Sequence, residues 1–391
     1  MRHIDVAERR NRLAVRQLLT PAARTDDVAA IADAVVGLHS TDPVTVHLSA
    51  AARMRTPVLP AADDALYVQR SLLRHHAMRR TLWVLGLELA RAAHHSCTVT
   101  LVGRQRKMLL DAVAGAGLGP DPERWVDAAT TEILEVLADK GPLAARELGR
   151  LVPHLAVPIT IGTGRQATEV AAHSRLLLVL GFEGRVLRAR PTGTWINGQY
   201  RWAAAQAWAP GFDEPLDPRT AAATLVRAWL RAFGPGTRAD VQWWTGWTAT
   251  TTARALADAG AVEVELAEGT GYVLPDDVDP VGPAEPFVAL LPSLDPTTMG
   301  WKQRGFHLDP THGPLLFDRN GNGGATIWVD GRIVGGWAQR ADGTIALRVL
   351  EDIGRERTAE VERAAHELER LLGDVRFTPR FPAPLHKELR S

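Results

Sequence analysis

The sequence predicts an α+β protein of several units, and three observations carry that expectation. A helix–helix–helix–hairpin order recurs three times along residues 1–275. Two of the copies share a Gly-Pro break followed by small residues, an arginine and a further helix, at Gly141-Pro142 and Gly234-Pro235. Internal repetition with that punctuation is stronger than any single helix assignment. From Pro275 the texture changes to Pro/Gly-rich segments with short β-like runs, closed by a helix near the C-terminus.

In the first copy, residues 8–19 and 27–38 read as helices, the second with Val28, Ile31, Ala32, Val35, Val36 and Leu38 at near-helical spacing. Pro43 is expected to end that helix, which places Gly37-Leu38-His39-Ser40-Thr41-Asp42-Pro43 on its last turn. Asp63 and Asp64 open a third helix, because acids favour that end of the helix dipole. Residues 74–78 and 81–85 then suit a short basic hairpin. Three helices and a hairpin are the order of a winged helix, a helix-turn-helix with a β-wing added.

The second copy has a helix over 133–140, another beginning at Leu143, a third over 165–180 and a hairpin over 182–190. The third copy has helices over 225–233, from Arg238 into Trp243-Trp244, and over 250–259. Its wing is 261–266 with 271–274, turning at Glu268-Gly269. The expected domains are therefore winged helices at 1–115, 122–205 and 217–275, in tandem. A small β-barrel-like domain with a C-terminal helix over 358–372 follows at 276–391, with strands at 287–291, 327–329, 332–337 and 345–350. Asp330-Gly331 supplies a hairpin turn there, and Asn320-Gly321-Asn322-Gly323-Gly324 reads as an exposed loop tip.

At 391 residues the chain exceeds one ordinary core, and 46% apolar with 23% charged residues describe a globular protein in water. No apolar run is long enough to span a bilayer, and residues 1–19 have no secretion signal, so a cytoplasmic location is expected. The single cysteine, Cys97, excludes an internal disulfide and a thiolate metal cage. Net charge is zero but uneven: residues 1–110 hold 16 Lys and Arg against 9 Asp and Glu. Between Gln69 and Leu109 lie eight bases and only Glu88. A basic half joined to an acidic half suggests a polyanion partner for one face.

Several chemistries lack support. There is no Gly-x-Gly-x-x-Gly fingerprint after a strand and no Walker lysine. The doublets His75-His76 and His94-His95 set adjacent rings on different faces, so neither makes a metal pair, and no zinc motif is present. Gly162-Thr163-Gly164-Arg165 could hold a phosphate at a helix N-terminus. His39, Ser40 and Asp42 invite a hydrolase triad, but no nucleophile elbow surrounds Ser40.

The whole chain resembles the winged-helix DNA-binding superfamily that includes the bacterial DNA glycosylases of the AlkZ/YcaQ type. The resemblance rests on Gly-Pro-x-x-x-Arg-Glu-Leu at 141–148, Gly234-Pro235, Trp243-Trp244-Thr245-Gly246, the 290–296 segment Leu-Leu-Pro-Ser-Leu-Asp-Pro, and Val329-Asp330-Gly331-Arg332-Ile333-Val334-Gly335. It implies tandem winged helices on double-stranded, damaged DNA, and a monofunctional, monomeric enzyme with no metal and no cofactor. Glycosylases of this type carry Gln-x-Gln or Gln-x-Asp at the end of an early helix. Here His39 falls where the first glutamine would sit and Thr41 where the second polar residue would, with Asp42 directly after.

A positively charged N-alkylpurine departs without a general acid, so the site need supply only an oriented water and negative potential for the oxocarbenium-like transition state. His39, Thr41 and Asp42 are the expected catalytic residues: Asp42 to accept the water's proton, neutral His39 and Thr41 to fix the water. Arg70, Arg74, Arg79 and Arg80 are expected to hold backbone phosphates, with Arg53 and Arg165 as further candidates. The rival reading is a non-catalytic winged-helix DNA-binding protein, such as a regulator.

Overall fold

The computed structural model describes residues 1–164 and 167–391. The N-terminal helix Val6–Arg16 is capped by Asp5, whose carboxylate accepts from the Glu8 N–H. Helix Val28–Ala34, capped by Asp27, is shorter than its apolar pattern suggested. It is broken at Val36 and Gly37, both at positive φ. A Cβ on Gly37 would lie 2.5 Å from the Leu85 side chain, so only glycine lets the chain turn there. The chain then enters a strand, Leu38–His39, paired antiparallel with Val84 and Trp83. Pro43 does not end a helix; it starts one, Pro43–Ala51, with Asp42 as N-cap. Proline suits that first position because its missing N–H would have had no partner.

The first hairpin, Leu72–His76 with Leu82–Gly86, forms as expected. The helix before it is short, Ala61–Asp63 continuing into a wider turn at Asp64–Val68. In the second copy, the segment expected to begin a helix at Arg165 lies partly outside the described residues. Thr168–Ala171 is a strand that pairs with Pro158–Ile161, and the helix is Ala172–Phe182. Gly162-Thr163-Gly164 follows strand Pro158–Ile161, and the expected phosphate site at Arg165 lies outside the described residues. The second hairpin is Val186–Pro191 with Tyr200–Ala204, later than expected because Phe182 still belongs to the helix.

The two hairpins meet at Arg74 and Arg188 and make one six-stranded sheet, with Leu38–His39 at one edge and Leu143–Ala144 at the other. In the third copy Val262–Leu266 and Gly269–Val273 form the hairpin, and Gly236–Thr237 adds to it. Its other edge pairs in parallel with Arg2–His3, the start of the chain. The N-terminal helix is sealed to the same region: Arg12 donates to Asp277 at 2.6 Å and to the Asp279 carbonyl at 2.6 Å, and Arg16 also pairs with Asp277.

Past residue 275, Val288–Leu291, Thr326–Val329, Arg332–Gln339 and Ile345–Val349 form an antiparallel sheet in chain order, with two edges where a barrel-like closure was expected. Helix Gly354–Leu372 packs on it through Val361, Ala365 and Leu372. A final helix, Pro384–Arg390, had no counterpart in the sequence reading. The glycine-rich loop is exposed only in part: Gly323 and Gly324 are buried, packed on Thr298 and Ala383. Among the described residues no helix is long and apolar enough to cross a membrane.

Where the first hairpin meets the second copy, the two histidine doublets come together. His75 Nε2 and His94 Nδ1 are 3.0 Å apart, both rings against Phe212, and His76 stacks on Phe182 at 4.2 Å. Burial pushes His75 and His76 well below the usual histidine value and His94 to about 4, with neighbouring His95 and Arg188 adding to the effect. Buried His47 is likewise lowered to about 4. The unfolded chain, titrating near 6.5, therefore binds more protons than the folded one below that pH. Stability is fully present above about pH 6.5 and falls as the pH drops. Asp33, Asp63 and Glu183, raised by burial, act with the opposite sign, in the carboxylate range. The urea midpoint is thus expected to drop between pH 7.5 and pH 5; equal midpoints would contradict neutral buried rings.

Candidate active site

The stretch 39–42 directs its side chains two ways. The His39 ring makes an edge contact with Trp83 at 4.9 Å. His39 is buried, and its Nδ1 has no hydrogen-bond partner among the described residues. Burial first, and Arg79 second, bring its pKa down to about 3, so the ring is neutral at ordinary pH. Thr41 is half-buried, and its hydroxyl accepts from the Leu82 N–H at 3.4 Å. Ser40 points elsewhere: its hydroxyl accepts from Arg74 Nε at 2.7 Å. The Arg74 guanidinium also donates to the Tyr67 hydroxyl and lies 4.2 Å over the Tyr200 ring.

Asp42 has two backbone partners. Its Oδ1 accepts from the Val44 N–H at 3.3 Å and its Oδ2 from the Arg380 N–H at 2.9 Å. Burial raises its pKa, and these two N–H groups oppose that rise. The carboxylate expected to take a proton from water also caps a helix and pins the C-terminal segment. Asp42→Ala should therefore cost about 0.5–2 kcal/mol in denaturant unfolding. Asp42→Asn should leave base release from alkylated DNA within a few-fold of wild type; loss of release from a folded Asp42→Asn protein would restore the proton-accepting role.

The predicted phosphate ligands separate. Arg53 is fully buried and all three guanidinium nitrogens are engaged. It pairs with Asp295 through Nη1 at 2.9 Å and Nη2 at 2.8 Å, and donates to the Gln17 carbonyl and Thr297 hydroxyl. Arg74 is buried in the sheet, as described. Neither can reach a phosphate, because each has exchanged water for internal acceptors. Arg70 is exposed, with its guanidinium 4.3 Å over Trp208. Arg79 and Arg80 lie beyond the other end of strand Leu72–His76, so a strand of about 17 Å separates them from Arg70. Arg80 is exposed; Arg79 is half-buried, 4.4 Å over Trp243. Arg165 lies outside the described residues.

Three residues near the motif escaped the sequence reading. Arg380 donates from Nη1 to the Thr41 carbonyl at 3.2 Å. Arg304 and Trp243 stand beside Arg79. For Trp243 a signal existed: adjacent tryptophans on one helix cannot both face the same core, so Trp243 or Trp244 had to look outward. Trp244 is the buried one.

The model of the family described as DNA glycosylase AlkZ-like matches residues 32–371. Among solved structures, the Streptomyces sahachiroi DNA glycosylase AlkZ has a similar fold, with a TM-score of 0.71 over 97% of this chain and 99% of that one, at 21% identity. No curated protein matches the chain. The matched span holds the motif strand Leu38–His39, all three hairpins and the C-terminal sheet, and the chain belongs to the AlkZ-like family of DNA glycosylases.

Proposed function

We propose that this chain is a monofunctional DNA repair glycosylase that acts as a monomer on damaged double-stranded DNA and hydrolyses the N-glycosidic bond of alkylated purines, bulky genotoxin adducts included. On this reading the three helix-and-hairpin units, 1–115, 122–205 and 217–275, are tandem winged helices that bind the duplex. The observation that carries the reading is His39: a neutral ring, buried beside Trp83, with an Nδ1 that has no partner among the described residues. A buried polar atom without a partner can be completed by a bound water.

In the proposed step a water held by His39, with Thr41 alongside, adds to C1′ of the damaged nucleotide. The C1′–N bond breaks and its electron pair cancels the positive charge on the purine, which leaves neutral. The water's proton passes on to solvent. A ring with a pKa of about 3 is too weak a base to hold it, so His39 orients the water and does not store the proton. A duplex bearing N-alkylated purines, incubated with the protein and then heated in alkali, should break at abasic sites. Tight binding with no abasic sites across several alkyl lesions would leave a non-catalytic DNA-binding protein.

A further inference from the structure

Arg79 and Arg304 come from segments 225 residues apart and meet on one indole. The Arg79 guanidinium lies 4.4 Å from the Trp243 ring centre; that of Arg304 lies 5.2 Å from the same ring and 4.3 Å from Phe317. In both, Nε and Nη2 are buried without an acceptor among the described residues. The acid whose field reaches Arg304 is Asp240. Its Oδ1 already accepts from the Lys302 and Gln303 N–H groups, and its Oδ2 from Thr237.

Burial first, and the charge of Arg304 second, lower Arg79 to about 10; burial takes Arg304 to about 10 against the opposing field of Asp240. The backbone is held for this placement: Arg79 and Arg80 both sit at positive φ, an arrangement that costs non-glycine residues about 1 kcal/mol or more each. The same turn covers the motif, since the Trp83 indole against His39 donates to the Met78 carbonyl at 3.3 Å and the Thr81 hydroxyl at 2.9 Å.

We propose that Arg79 and Arg304, braced on Trp243, form a fork that grips one phosphodiester of the strand carrying the target nucleotide and so fixes its sugar relative to His39. The chemistry favours a phosphate over the lesion itself. A cationic purine would be repelled by two guanidiniums, whereas a phosphate supplies acceptors to both and bridges them. Arg79 and Arg304 are positioning residues in this account. The sugar-placing role rests on the glycosylase reading; phosphate capture does not.

The test separates the two. Affinity for duplex DNA is measured against salt for wild type, for the double variant R79Q/R304Q, and for R79K/R304K as a check that charge alone restores the slope. One shared phosphate predicts that the log–log slope falls by about 0.9 in the glutamine pair, with binding about tenfold weaker at low salt. The wild-type protein is then bound to duplexes holding a fixed abasic analogue and a single neutral methylphosphonate, moved one phosphate at a time. A single sensitive position next to the analogue, where wild type and the glutamine pair bind alike, is the expected result. An unchanged salt slope overturns the fork. A flat scan with a protein that does release bases overturns its placement beside the target. A reduced slope with a flat scan and no base release keeps phosphate capture and overturns the glycosylase reading.

Discussion

His39→Ala is expected to slow single-turnover base release from alkylated duplex DNA by about 100-fold or more, while His39→Gln keeps it within about tenfold of wild type. The imidazole contributes an acceptor at a fixed place, not a proton. Its Nδ1 is buried without a partner among the described residues, its ring is held edge-on by Trp83, and its pKa of about 3 keeps it neutral. A glutamine amide can offer an acceptor from the same strand position; alanine leaves the water unanchored. The pH dependence follows with its sign. Protonation of His39 would remove the acceptor only as the pH falls towards 3, so the rate should show no limb from this residue between pH 5 and 8. A limb near 6.5 that disappears in His39→Gln would mean that the ring titrates as an exposed histidine does. Equal rates for wild type and folded His39→Ala would remove His39 from the reaction.

Arg53→Ala is expected to cost about 3–5 kcal/mol of stability. The pair it breaks is wholly buried, and Asp295 would be left with a charge that no water can reach. The neighbours do not compensate. Asp295 would keep only the Ser49 hydroxyl at 2.6 Å and the Thr297 N–H at 2.9 Å, while the Gln17 and Ser49 carbonyls would lose their donors. Arg53→Lys should rescue only part of the loss, because an ammonium cannot reproduce two parallel bonds to one carboxylate. Urea unfolding of both variants measures this. A shift below about 1 kcal/mol for Arg53→Ala would show that the site relaxes or admits water.

Local, strongly periodic signals were legible without coordinates. Val262, Val264 and Leu266 alternate before a Glu-Gly turn, and that hairpin forms where expected. The Asp330-Gly331 turn likewise joins two strands. The motif's setting differs from the expected helix end for a physical reason. Val35, Val36 and Leu38 are all buried, but Val36 lies in the break after the helix and Leu38 packs from a strand paired with Val84. A short apolar run carries no mark to tell these environments apart. Pro43 is equally two-sided, since proline both stops helices and starts them. Asp42 could be read as a base because its partner, the Arg380 N–H, lies 338 residues away. Arg53 could be read as a phosphate ligand because Asp295 lies 242 residues away. Charge along a sequence locates basic residues; it does not reveal which of them find an acid in the folded chain.

The pairing of Arg2–His3 with Val264 and Glu265, and of Arg12 with Asp277, sets a schedule for synthesis. The first helix leaves the ribosome long before the strand and carboxylate that secure it. At about 5–20 residues per second, some 15–55 seconds pass before residue 277 is made. During that interval Leu13 and Ala14 have only part of their eventual core to pack against. Slowing translation ahead of residue 277 should therefore increase chaperone association of the nascent chain more than an equal pause after it.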